Sequence, residues 1–117
     1  GGPLVQHALV AMMEAHHNGR ISIEKLVEKM CHNPAILFQI EKRGYIREGY
    51  FADLVLVNPN NPWTVTKDNC LYKCGWSPFE GSTFKSRVTH TLLNGVVVYE
   101  NANFTNQNAA MRLTFNR

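Results

Sequence analysis

At 117 residues the chain suits one domain, or one domain with part of another, and is too short for a complete barrel enzyme of ~250 residues. A 44% hydrophobic content suits a soluble folded protein, and a chain of this size buries roughly two thirds of its unfolded surface. The formal charge of +3 (12 Lys and Arg against 9 Asp and Glu) is spread over both halves, which excludes a concentrated nucleic-acid footprint, and no apolar run approaches the ~20 residues of a membrane span.

The first third reads as helix. Pro3 fits a first helical turn, where its missing N–H costs little, and Leu4, Val5, Ala8, Leu9, Met12 and Met13 follow the 3-and-4 spacing of one apolar stripe. Asn18-Gly19 closes that helix, because glycine accepts the left-handed conformation after a helix end. Ser22 is placed to cap a second helix, with Glu24 early, Lys29 late, and Ile23, Leu26, Val27 and Met30 on one buried face. Asn33-Pro34 predicts the start of a short third helix through Phe38. From Gly44 the pattern changes to short apolar runs punctuated by glycine. Leu54-Val55-Leu56-Val57 predicts a buried strand, and residues 58–62 a turn. Asn94-Gly95, flanked by Val88–Leu93 and Val96–Tyr99, predicts a hairpin, since a type I′ turn needs two positive φ angles. Residues 101–108 read as polar connection, and the alternating tail Met111–Phe115 as an edge strand. Helices first and strands after them indicate an α+β chain, or parts of two domains meeting in one chain.

The residues that could carry chemistry mostly have plainer readings. His16 and His17 diverge by about 100° on a helix and cannot chelate one ion together; they read as exposed polar residues at a helix end. Cys70 and Cys74 have a zinc-knuckle gap, but no second Cys/His pair follows. Cys31 continues an apolar helix face and reads as a buried thiol rather than a nucleophile beside His32. Glu24 and Glu28 read as surface partners of Lys25 and Lys29, and Asp53 as a turn or backbone-bonding residue. Three cysteines without framework spacing favour a reducing compartment. There is neither a signal peptide nor an initiator Met, so the chain is expected to begin inside a longer sequence or after a cleaved tag. The loop Lys73–Gly81, with two glycines, a proline, Trp76 and Phe79, either packs on its own domain or docks a neighbouring one.

Several phrases together resemble the end of a dihydroorotase, within the cyclic amidohydrolases. Gly44–Val57 is similar to the run G-x-I-x-x-G-x-x-A-D-L-V-L-V, and His32-Asn33-Pro34-Ala35 to the N-P-A helix start that precedes it. Ser77-Pro78-Phe79-Glu80-Gly81 resembles S-P-F-x-G, and Val88–Tyr99 resembles V-x-x-T-x-x-N-G-x-x-V-Y. Gly1–His7 looks like the loop after the last barrel strand, and Arg112–Arg117 like a dihydroorotase chain end. The G-x-x-A-D run is shared with dihydropyrimidinases, allantoinases and deacetylases; the S-P-F-E-G loop and the tail narrow it.

The resemblance implies the terminal helices of a (β/α)8 metallo-hydrolase barrel in residues 1–43 and a small antiparallel β-rich domain in residues 44–117. It implies one or two zinc ions that lower the pKa of a bound water, an aspartate that shuttles the proton, and interconversion of N-carbamoyl-L-aspartate and dihydroorotate in pyrimidine biosynthesis. The family's ligands would lie upstream. No H-x-H pair occurs here, so this chain alone is expected to hold neither catalytic nor metal residues, and to be inactive and zinc-free. The backbone of Gly1, Gly2, Pro3 and Leu4 matches the family's substrate-facing loop, unless Gly1-Gly2 is a tag scar. The implied partners are a small-molecule substrate, the remainder of the barrel and further copies in a homo-oligomer, in the cytoplasm, with neither nucleic acid nor membrane. Another cyclic amidohydrolase (dihydropyrimidinase or allantoinase) and a noncatalytic scaffold are the alternatives. Leu4, Leu9, Met12, Leu26 and Met30 would leave an apolar patch where barrel strands are missing, with Trp76 and Phe79 adding to it.

Overall fold

A computed structural model describes residues 1–117. The chain is α+β, with helices preceding antiparallel strand pairs. It groups into two compact units, each assembled from an early and a late segment: residues 1–22 with 58–87, and residues 23–57 with 88–117. This grouping runs across the expected division at residues 43/44. No helix is long and apolar enough to cross a membrane.

In the first unit a 3-10 turn, Val5–His7, leads into α1, Ala8–His17. The expected stop is present: Gly19 takes φ +73°, and the amides of Asn18, Gly19 and Arg20 close on the carbonyls of Glu14, His16 and Ala15. The strands β2 (Trp63–Thr64) and β3 (Thr83–Phe84) pair antiparallel, Trp63 opposite Phe84. The buried side chains of this unit are His7, Val10, Met13, Val65, Ser77, Phe84 and Ser86.

The second unit opens with α2, Ile23–Val27, which continues without a break through a π turn, Glu28–His32, into α3, Asn33–Leu37. The short third helix expected from Asn33-Pro34 is thus present over Asn33–Leu37, but Asn33 is itself helical (φ −61°, ψ −43°) and no break precedes it. Pro34 has no N–H and its ring would crowd the carbonyl one turn earlier. A widened turn relieves this, with Asn33 N–H bonding the Glu28 carbonyl five residues back. The extra residue also turns Cys31 off the apolar face: its thiol is exposed, not buried as its spacing suggested.

The four-stranded sheet of this unit runs β1 (Leu54–Asn58), β4 (Arg87–Leu93), β5 (Val96–Glu100), β6 (Asn103–Phe104). The Asn94-Gly95 hairpin forms as expected, with φ of 51° and 81°. β1 is a strand, but not a buried one. It lies at the sheet edge, and Val55 and Leu56 are exposed. A second two-residue turn, Asn101-Ala102, with φ of 46° and 70°, makes the unanticipated β5–β6 hairpin inside the polar stretch. The tail makes no edge strand. Only Phe115 bridges, to Ile40, because Gln39 and Lys42 both adopt φ 55° and bend the partner segment away on either side. Leu26 is buried, so it does not belong to the expected apolar patch; Leu4 does remain exposed, together with Ile36, Leu37 and Phe38.

Candidate functional site

The Gly1–Leu4 segment leads directly into the helical start of the first unit. Gly1, Gly2 and Leu4 are exposed and Pro3 is half-buried, and the first turn closes with His7 N–H on the Leu4 carbonyl at 3.2 Å. A helix start leaves its first amides without intrahelical acceptors. For Gln6 the acceptor is the Tyr72 phenol, at 2.7 Å. The Gln6 side chain reaches the same segment twice. Its Nε2 donates to the Asn69 carbonyl and its Oε1 accepts the Leu71 N–H, both at 2.8 Å. Asn69 is itself fixed by a reciprocal cap with Thr66 around the 3-10 turn Lys67–Asn69, and by its Nδ2 donating to the Thr64 carbonyl. Sequence reasoning singled out neither Gln6 nor Tyr72; partners 66 residues apart leave no local signal.

His7 is completely buried, with Trp63, Tyr72, Phe79 and Phe84 around its ring at centroid distances of 5.8 to 6.2 Å. Its Nδ1 lies 3.1 Å from Ser77 Oγ, which also accepts the Phe79 N–H, while Nε2 has no hydrogen-bond partner. The Lys73–Gly81 loop thus packs Phe79 on its own unit, and Trp76 stays half-exposed. Burial lowers the His7 pKa below its ordinary 6.5 because the imidazolium would lose its hydration. The unfolded chain therefore binds more protons than the folded one just below pH 6.5. Stability from this group is complete above that pH and falls as pH drops toward the lowered folded value. The melting temperature is expected to drop between about pH 7 and 5, and His7→Phe, which keeps a ring in the aromatic cage, to flatten that drop. Thermal melts across this range check it; an unchanged slope in the variant would contradict it.

The other chemistry-bearing residues do not converge. His16 Nδ1 sits on the Ile21 carbonyl (2.9 Å) and His17 Nε2 on buried Ser86 Oγ (2.8 Å), so both are half-buried and partnered rather than simply exposed. His32 Nδ1 meets the Gly44 carbonyl at 2.8 Å and its ring stacks on Tyr45, so it braces a turn and does not serve Cys31 as a base. Lys25 and Glu28 form the surface pair at 2.8 Å. Desolvation, with Glu80 and Cys74 nearby, raises the Cys70 thiol pKa and disfavours the thiolate a metal requires. Asp53 bonds backbone, as its position suggested. Its Oδ1 accepts the Asn94 N–H at 2.9 Å, while Oδ2 pairs with the buried Arg43 guanidinium. No group of three or more His, Cys, Asp or Glu side chains is placed to hold a metal ion, so the residues present do not fit a catalytic zinc.

Residues 4–98 match the model of the amidohydrolase family. The chain belongs to that family. It is 36% identical over 100 residues to a dihydroorotase of Pyrococcus furiosus, covering 86% of this chain and 24% of that protein. Its fold is similar to a solved D-hydantoinase (TM-score 0.83, 27% identity, 89% of this chain and 23% of that one). It is also similar to the L-hydantoinase (dihydropyrimidinase) of Arthrobacter aurescens (TM-score 0.72, 32% identity, 80% and 21%). The chain thus spans about a quarter of the length of the relatives it matches.

Three of the family-like phrases now have structural reasons. In N-P-A and G-Y-I, the small Ala35 side chain meets a residue without one: a Cβ at Gly44 would stand 2.5 Å from the Ala35 Cβ. In A-D and N-G, the aspartate of one phrase fixes the turn of the other.

Proposed function

We propose that this chain is the C-terminal part of a dihydroorotase that interconverts N-carbamoyl-L-aspartate and dihydroorotate in the cytoplasm. The observation that carries this reading is the 36% identity to a dihydroorotase across 86% of the chain. In this reading residues 1–43 supply the closing helices of a (β/α)8 barrel, residues 44–117 its β-rich domain, and the backbone of Gly1, Gly2, Pro3 and Leu4 faces the substrate. Glycines let a ligand approach the main chain closely, and a helix start favours its carboxylate. Zinc in such an enzyme would activate water and polarise the amide; its ligands would come from outside these 117 residues. The rest of the barrel would be the partner of the exposed Ile36, Leu37 and Phe38, and the assembly a homo-oligomer.

A second reading, a hydantoinase or dihydropyrimidinase, is favoured by the solved structures of similar fold. Turnover assays of the full-length protein decide between them. Dihydroorotate is expected to be consumed and N-carbamoyl-aspartate formed, whereas hydantoin or dihydrouracil hydrolysis in its place would select the second reading. Loss of turnover of all three would point to a noncatalytic scaffold. The 117 residues alone are expected to hydrolyse none of them; chelator-sensitive hydrolysis by the isolated chain would overturn that.

A further inference from the structure

The geometry points to Gln6 and Tyr72 as positioning residues that hold the Gly1–Leu4 backbone in its substrate-facing arrangement. The inference rests on the proposed function for the identity of the substrate, but the clamp itself is visible in the structure. Three hydrogen bonds join one residue of the helix start to one short segment. Gln6 N–H goes to Tyr72 Oη, Gln6 Nε2 to the Asn69 carbonyl, and the Leu71 N–H to Gln6 Oε1. They fix Gln6 in position and orientation, because the backbone and both ends of the side-chain amide are engaged. His7 adds a fourth tie, to Ser77, inside the aromatic cage.

The residues just before the clamp, Gly1 to Leu4, leave room around the main chain at the two glycines. A Cβ at Gly1 would meet nothing within 4 Å, one at Gly2 only the Leu4 side chain at 3.9 Å, and Leu4 is exposed. Gln6 fixes the end of this segment that runs into the helix. A loop that offers backbone groups to a ligand must have its conformation set before binding, or binding carries the ordering cost. The Tyr72 phenol suits this role, because it takes one orphan amide of the helix start.

Neither Gln6 nor Tyr72 touches the reacting atoms in this arrangement. Contacts from a prepositioned backbone act alike on bound substrate and transition state, so loosening them raises KM and leaves kcat nearly unchanged. Tyr72→Phe, which removes one oxygen, and Gln6→Ala are tested in the full-length protein by amide hydrogen exchange and by steady-state kinetics with dihydroorotate. The expected result is exchange about tenfold faster in residues 1–7, with other segments unchanged. KM is expected to rise roughly 5- to 10-fold while kcat stays within about twofold. Unchanged exchange and KM in both variants would overturn the inference. So would a fall in kcat and melting temperature without a rise in KM, which marks a merely structural role. Should the wild-type protein consume hydantoin or dihydrouracil and not dihydroorotate, the substrate assignment fails and KM for the accepted substrate takes its place. Should it consume none, the function reading fails and the exchange measurement alone decides on the clamp.

Discussion

Gly44→Ala is expected to destabilise the chain by ~3 kcal/mol or more, and Gly49→Ala by only ~1 kcal/mol. Both glycines have φ +81°, in the left-handed region that penalises an L side chain at either position. Their surroundings differ. At Gly49 a Cβ would meet nothing within 4 Å, whereas at Gly44 it would stand 2.5 Å from the Ala35 Cβ and 2.7 Å from the Cys31 carbonyl oxygen. The obstacle at Gly44 is helix backbone, which cannot swing aside, and the turn is also held by His32 on the Gly44 carbonyl. Urea denaturation of the two variants side by side isolates the close approach from the φ penalty. Equal losses at the two sites would refute this account.

Removing the Asp53 carboxylate is the second large effect. Asp53→Ala strips the ion partner from Arg43, which is 8% exposed, and the acceptor from the Asn94 N–H. Deleting one member of a buried pair leaves a charge without its counterpart, at a cost of ~3–5 kcal/mol. The Asp53 side chain is 31% exposed, so water reaches its side of the pair, and Arg43 keeps Asn94 Oδ1 and the face of Phe51. We therefore expect a loss of ~2–3 kcal/mol, about half of it recovered in Asp53→Asn, which keeps an acceptor without the charge. A double-mutant cycle with Arg43→Met should give a coupling above ~1 kcal/mol. Additive losses would show that the pair contributes nothing as a pair.

What was legible in the sequence was local. The Asn94-Gly95 hairpin was readable because a two-residue loop with two positive φ angles has a composition of its own, and Asn18-Gly19 ended α1 for the same reason. Asn101-Ala102 makes an equally tight turn, but alanine carries no such signature, and β6 went unseen. The π turn escaped because spacing rules assume one helical period; a single inserted residue moved Cys31 out to solvent. Exposure of β1 depends on which strands flank it, a property of the sheet and not of Leu54–Val57. The clamp on Gln6 was out of reach for a related reason. Glutamine and tyrosine are ordinary in those positions until the fold brings residues 6 and 72 together. Asp53 was read correctly as backbone-bonding, although its partner lies 41 residues downstream.

The division of the chain into interleaved segments has a consequence for the order of events at the ribosome. The polypeptide passes from one unit to the other three times, after residues 22, 57 and 87. The first unit cannot close until residue 87 has been made, and by then the opening half of the second has already emerged without its sheet. Synthesis at roughly 5–20 residues per second leaves that half unpaired for seconds, with Leu26 and Ala35, which the finished unit buries, still open to solvent. The nascent chain is thus most vulnerable to misassociation while residues 58–87 are being made, a hazard set by its wiring and not by the strength of any single contact.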